Sequence, residues 1–173
     1  MSRSAVLLGL VVVACRAATG DTDGHLSARV GYSPRDSVRF ETPAWLRRCG
    51  GARGFVLEGE VRGNGVLVWL RPGESLPSGR YPVLTRGDTL TPRGAVVAAR
   101  FMTRDIAHGV VLDSGWVTVK ANRGTGVEGE RLQVSAEVGG AGLEIAGGRR
   151  VRVEAEFDQT TPAADSARCE ARP

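Results

Sequence analysis

From Arg53 onward the chain alternates apolar and polar side chains with a period of two, the pattern of strands that bury one face. Phe55, Leu57, Gly59 and Val61 share one face of such a segment, and Glu58 and Glu60 share the other. Asn64-Gly65 tolerates positive φ at both residues and predicts a hairpin turn before a return strand over residues 66–71. Pro72-Gly73 and Pro77-Ser78-Gly79 predict further turns, and Pro82 pushes a short strand over 80–84 towards an edge. A longer strand over 94–103 sets Ala95, Val97, Ala99 and Phe101 on a common side. Residues 110–112 and 115–121 flank or share a turn or bulge at Asp113-Ser114-Gly115. Leu132, Val134, Ala136 and Val138 alternate against Gln133, Ser135 and Glu137. Gly139-Gly140 and Gly147-Gly148 read as turns around a short 143–145 segment. Val151, Val153, Ala155 and Phe157 form the cleanest alternation, against Arg150, Arg152, Glu154, Glu156 and Asp158. Earlier, Val38 and Phe40 begin a first strand, with Pro43 and Trp45 capping one edge of the core. A helical period is almost absent. About eight strands with Gly/Pro turns predict an all-β fold, an antiparallel β-sandwich, with a small β-barrel as the alternative.

The first residues follow a different rule. Arg3 precedes an uncharged run from Ala5 to Ala14, too short to cross a bilayer as a helix but suited to a secretory signal. Val12-Val13-Ala14-Cys15 resembles the lipobox of bacterial lipoprotein precursors. That resemblance implies cleavage after residue 14 and lipidation of Cys15, and Arg16, in place of Asp, implies the outer membrane in a Gram-negative envelope. Ordinary secretion with cleavage near Ala17 or Ala18 is the other reading, although Arg16 fits poorly in a small-residue site. The expected organisation is a signal peptide over 1–14, a lipidated Cys and polar tether over 15–36, and a β-domain over 37–173. Several acyl chains, at roughly 0.8 kcal/mol per buried methylene, would hold such a protein on its membrane.

That compartment changes the reading of the cysteines. With Cys15 lipidated, Cys49 and Cys169 remain as an even pair in an oxidising setting, and a disulfide between them is expected. Two cysteines without a nearby histidine do not make a zinc site, and His25 and His108 are the only histidines, so neither metal nor cofactor is expected. The 173 residues carry a net charge of +4, mild and interspersed along the strands, with Lys120 the only lysine. This gives no reason to expect nucleic acid as a partner.

Few residues offer chemistry. Gly124, Gly126 and Gly129 spell GxGxxG, but the following residues alternate as a strand, whereas a pyrophosphate site needs a helix opening there; a hairpin turn is expected. Asp21-Thr22-Asp23-Gly24 lacks the distal ligands of a calcium loop. His108, Asp113 and Ser114 are the residue types of a hydrolase triad, without a nucleophile elbow around the serine. Glu58 with Glu60, and Glu154 with Glu156, read as salt-bridged solvated faces. Trp69 lies on a strand with two largely apolar faces, as expected of a central strand covered on both sides; the other reading makes Trp69 and Trp116 the candidate ligand or docking surface. The strand Ser114-Gly115-Trp116-Val117-Thr118-Val119, its Gly-rich return and the strand over 151–157 resemble small all-β bacterial lipoproteins of uncharacterised function. The resulting expectation is a non-catalytic binding or structural accessory module, held to the membrane by its N-terminal lipid and meeting an envelope protein partner. The alternatives are an envelope hydrolase using His108 with Asp113 and Ser114, and a lipocalin-like carrier of an apolar ligand.

Overall fold

Among the described residues eleven strands form one sheet: β1 (His25–Gly31), β2 (Ser37–Pro43), β3 (Trp45–Gly50), β4 (Phe55–Val61), β5 (Asn64–Arg71), β6 (Gly79–Pro82), β7 (Gly94–Thr103), β8 (Ile106–Gly126), β9 (Gly129–Glu144), β10 (Arg150–Thr160) and β11 (Pro162–Arg168). They come from a computed structural model that describes residues 24–50, 54–72, 76–88, 90–126, 129–160 and 162–169. Among these residues there is no helix. The spatial order is β11-β3-β4-β5-β7-β8-β9-β10-β1-β2, with β6 paired to β8 off the path. All pairings between named strands are antiparallel except β11 with β3.

That order forces curvature. β2 ends the path on one side, β3 stands next to the other end, and Ala44 alone joins them in sequence. The sheet must therefore curl until its two ends approach, and it forms a half-barrel. Ala44 is buried and donates its N–H to the Gly24 carbonyl at 2.9 Å, and the Thr42 hydroxyl donates to the Glu60 carbonyl at 3.1 Å. Gly59 permits the approach: a Cβ there would stand 2.8 Å from Leu26 Cδ2 and 3.0 Å from the Pro43 oxygen. The apolar members of each alternation point into the curl, where Leu26, Val30, Leu57, Val68, Leu70, Val97, Phe101, Val110, Val153 and Phe157 pack as one buried cluster.

Asp113 is a bulge in a single long strand. β8 pairs Leu112 with Gly142 but Ser114 with Ala141, so one extra residue enters β8 at Asp113. The alternation flips across it: Val110 and Leu112 are buried before it, Val117 and Val119 after it. On the partner strand the inward positions opposite the bulge are glycines. A Cβ on Gly142 would lie 2.1 Å from the Val111 oxygen, and one on Gly140 2.5 Å from the Ser114 oxygen.

Several expectations need correcting. Residues 25–31, assigned to a tether, form β1, which lies between β10 and β2, so the folded domain begins before residue 37. Gly139-Gly140 is strand, not turn, because β9 runs through it beside the bulge. The β4–β5 turn lies at Arg62-Gly63, where φ is 49° and 80°; Asn64 is already paired with Val61. Asn64 instead ties hairpins together, its Oδ1 accepting from the Met102 N–H at 2.9 Å. Strand β11 was not expected. Residues 1–14, Cys15 and Asp21 to Asp23 lie outside the described residues.

Candidate functional site

One convergent polar cluster sits where three connections meet at one end of the half-barrel. Thr103 closes β7, His108 lies just inside β8, Glu144 closes β9, and Tyr32 follows β1. The inward parity of β7 and β8 sets Phe101 beside His108 as a cross-strand pair. Their rings stack with centroids 5.0 Å apart and planes at 24°. Tyr32 crosses the mouth of the curl and meets Phe101 edge-on at 5.6 Å. Above it the Arg149 guanidinium lies 3.5 Å from the Tyr32 ring centroid, a cation–π lid.

The polar atoms of the cluster answer one another. His108 Nδ1 is 2.6 Å from Glu144 Oε1, and His108 Nε2 is 2.5 Å from Thr103 Oγ1. Placing the ring proton on Nδ1, an assignment made from these partners, lets it donate to the carboxylate while Nε2 accepts from the threonine hydroxyl. The Tyr32 hydroxyl donates to Glu144 Oε2 at 2.9 Å and lies 3.1 Å from His108 Nδ1. The Glu144 side chain is only 7% exposed and that of His108 15%. Hydrogen bonds from His108 and then Tyr32 hold the Glu144 carboxyl below its usual range, and burial, followed by the bond to Glu144, raises the Tyr32 hydroxyl. Gly147 makes room for the carboxylate, since a Cβ there would lie 2.5 Å from Glu144 Oε2.

His108 is therefore paired with a carboxylate other than the Asp113 of the hydrolase alternative. Asp113 and Ser114 belong to a separate group on the outer face. Arg150 Nη1 and Nη2 donate to Asp113 at 3.0 and 2.7 Å, and Nη2 also donates to Ser114 Oγ at 2.8 Å. Arg150, then Ser114, holds the Asp113 carboxyl below its usual range. The bulge that places Asp113 also turns it outward, which is why a triad of His108, Asp113 and Ser114 does not assemble.

Trp69 and Trp116 each pack against a glycine and an arginine. Trp116 is 43% exposed, yet one face lies on Gly139, where a Cβ would sit 3.3 Å from Cζ2, and Arg80 stacks on its ring at 4.3 Å. Trp69 is half-buried against Gly54, and its indole nitrogen is buried without an acceptor among the described residues. Close by, Cys49 and Cys169 form the expected disulfide, with Cα atoms 5.3 Å apart. His25 stands on the surface 3.8 Å from Glu41. The GxGxxG glycines lie at the β8–β9 hairpin, with Gly126 paired to Gly129. The glutamate pairs sit on faces with arginine partners: Glu58 with Arg47, Glu60 with Arg100, and Glu154 with Arg29 at 3.7 Å.

Sequence reasoning missed Tyr32 and Glu144. Tyr32 lay in the presumed tether. Glu144 shares parity with Val134, Ala136 and Val138, a signal visible only if β9 is read through Gly139-Gly140. No protein-family model, curated protein or solved structure matches this chain.

Proposed function

We propose that the chain is a lipid-anchored envelope lipoprotein whose β-domain serves as a non-catalytic binding or structural accessory module. The Val12-Val13-Ala14-Cys15 pattern supports acylation at Cys15 and, with Arg16 following, an outer-membrane address in a Gram-negative envelope. A domain joined by the Cys49–Cys169 disulfide suits the oxidising side of a membrane. Its partners are the membrane, through the lipid, and an envelope protein; nucleic acid is not among them. The packing of β1 and β2 against β4 and β7 supports a sandwich reading of the curled sheet.

The observation that carries the non-catalytic reading is the closure of the rim cluster on itself. Both His108 nitrogens and both Glu144 oxygens have partners inside the cluster. Of four outer-face hollows among the described residues, one takes Tyr32 into its wall and none is lined by Thr103, His108 or Glu144. Such a cluster locks the β1–β2, β7–β8 and β9–β10 connections together. Filling of the curl by Leu26, Val68, Phe101 and Phe157 favours this module over a lipocalin-like carrier, which needs an open apolar interior.

One observation favours a second reading. Thr103, His108 and Glu144 stand in the order of nucleophile, base and orienting carboxylate, the arrangement a hydrolase uses. Turnover of p-nitrophenyl acetate by the full chain and by His108→Ala separates the two. The module reading expects equal, background rates from both proteins. A rate that drops by orders of magnitude in the variant, with its circular dichroism unchanged, establishes the hydrolase.

A further inference from the structure

The outer face carries a hollow that takes Tyr32 of the rim cluster into its wall but none of Thr103, His108 and Glu144. Between the β1–β2 turn and β10 lies a cleft of about 280 Å³ whose lining includes Arg29, Arg150, Arg152, Glu154, Ser33 and Ser37. Register explains it. Arg152 pairs with Gly31 on β1 and with Ala141 on β9, so small side chains flank it on both sides and leave the cleft a floor close to the backbone. Gly31 is kept small by the tight turn beyond it, since a Cβ there would meet the Asp36 oxygen at 2.3 Å. Arg150 and Arg152 are two residues apart on one face of β10, and Arg29 stands beside them through its pairing with Glu154.

Three guanidinium groups thus line one small hollow, and they are not equally committed. Arg150 is forked onto Asp113, and Arg29 lies 3.7 Å from Glu154. Arg152 is exposed and has no carboxylate partner among the described residues. Ser33 Oγ accepts from the Asp36 N–H at 3.1 Å, which leaves its own hydroxyl proton free to donate. The Ser37 hydroxyl already donates to the Pro34 carbonyl at 3.2 Å, so a planar fork with spare donors and the one adjacent Ser33 hydroxyl make up the equipment for a tetrahedral oxyanion. Glu154, at the far wall, can accept from a hydroxyl on whatever carries that anion.

We propose that this cleft binds a phosphomonoester borne on a small polyol, with Arg152 as its principal ligand. The inference rests on the binding-module reading, which it deepens by naming the ligand class; it does not depend on the Thr103–His108–Glu144 arrangement. The same headgroup chemistry is available from a soluble polyol phosphate or from a phosphatidic acid surface.

The test uses the full chain carrying Cys15→Ser, so that no acyl chain confounds lipid binding. Calorimetric titration with glycerol phosphate is expected to give saturable one-to-one binding, with glycerol alone giving none. Arg152→Gln is expected to weaken it at least tenfold, while Arg35→Gln, in the neighbouring turn but outside the cleft, leaves it unchanged. Co-sedimentation with vesicles of equimolar phosphatidylcholine and phosphatidic acid, lost in Arg152→Gln, assigns the source to lipid; glycerol phosphate binding without co-sedimentation assigns it to a soluble ligand. No saturable binding to either probe overturns the proposal, as does equal weakening by Arg152→Gln and Arg35→Gln. The p-nitrophenyl acetate result is independent, so failure of phosphate binding leaves the non-catalytic reading standing.

Discussion

Reduction of the Cys49–Cys169 bond is the perturbation whose size follows most directly from the fold. The two residues are 120 apart in sequence, so the bond closes nearly the whole described domain into one loop. In the chain-entropy treatment a loop of that length removes about 5 kcal/mol of conformational freedom from the unfolded chain. The native contribution is local: β11 pairs with β3 alone, in parallel, and Cys169 is buried just beyond its last strand residue. Cutting the bond therefore frees an edge strand and loosens the unfolded ensemble together. With a urea slope of about 2 kcal/mol/M, expected for a domain of this size, the midpoint should fall by roughly 2–3 M. The assay is urea unfolding followed by tryptophan fluorescence, with and without reductant, and again for the Cys49→Ala/Cys169→Ala double variant. Reductant should leave the double variant's curve unmoved. A midpoint that shifts by less than about 0.5 M on reduction would refute the reasoning, because the loop would then contribute little of the restraint its length implies.

Other outcomes follow from single contacts. Gly142→Ala drives a methyl group into the Val111 carbonyl beside the bulge, and thermal unfolding should show a loss of about 1–3 kcal/mol, whereas Gly87→Ala, with open space around its Cβ position, should cost only its positive-φ strain. The depressed Glu144 carboxyl contributes stability that is present above its unfolded pKa of about 4.3 and is lost as pH falls through its lower folded value. With His108, Tyr32 and Arg149 facing that carboxyl, urea midpoints should fall more steeply in acid for the native chain than for Glu144→Gln; parallel profiles would remove the cluster from the account.

Much of the sheet was legible in the sequence because it rests on a period of two. The strand over 150–158 and the inward sets of β4 and β7 could be read from side-chain order, which left Asp113 open between a turn and the bulge it forms, and the cysteine pairing followed from the even count that remains after Cys15. What was lost was lost at glycines and in polar segments. Gly139 and Gly140 carry the composition of a turn, but they sit in a strand because Trp116 and the bulged β8 press against them. The segment 25–31 contains Leu26, Ala28 and Val30 in alternation, a strand obscured by the polar residues that precede it. The Arg62-Gly63 turn displaced the expected one because two-residue closure pairs Val61 with Asn64 and keeps Val66 and Val68 facing the core. The rim cluster was hidden for a different reason. It joins residues 76 and 112 positions apart, and no local pattern carries contacts across such separations.

The central claim is an anchored module, and the intact mass of the protein extracted from its native membranes tests it most directly. The account predicts a chain that begins at Cys15, heavier by a diacylglyceryl group and an amide-linked fatty acid, with two hydrogens missing for the Cys49–Cys169 bond. A chain still beginning at Met1, with unmodified thiols, would contradict it.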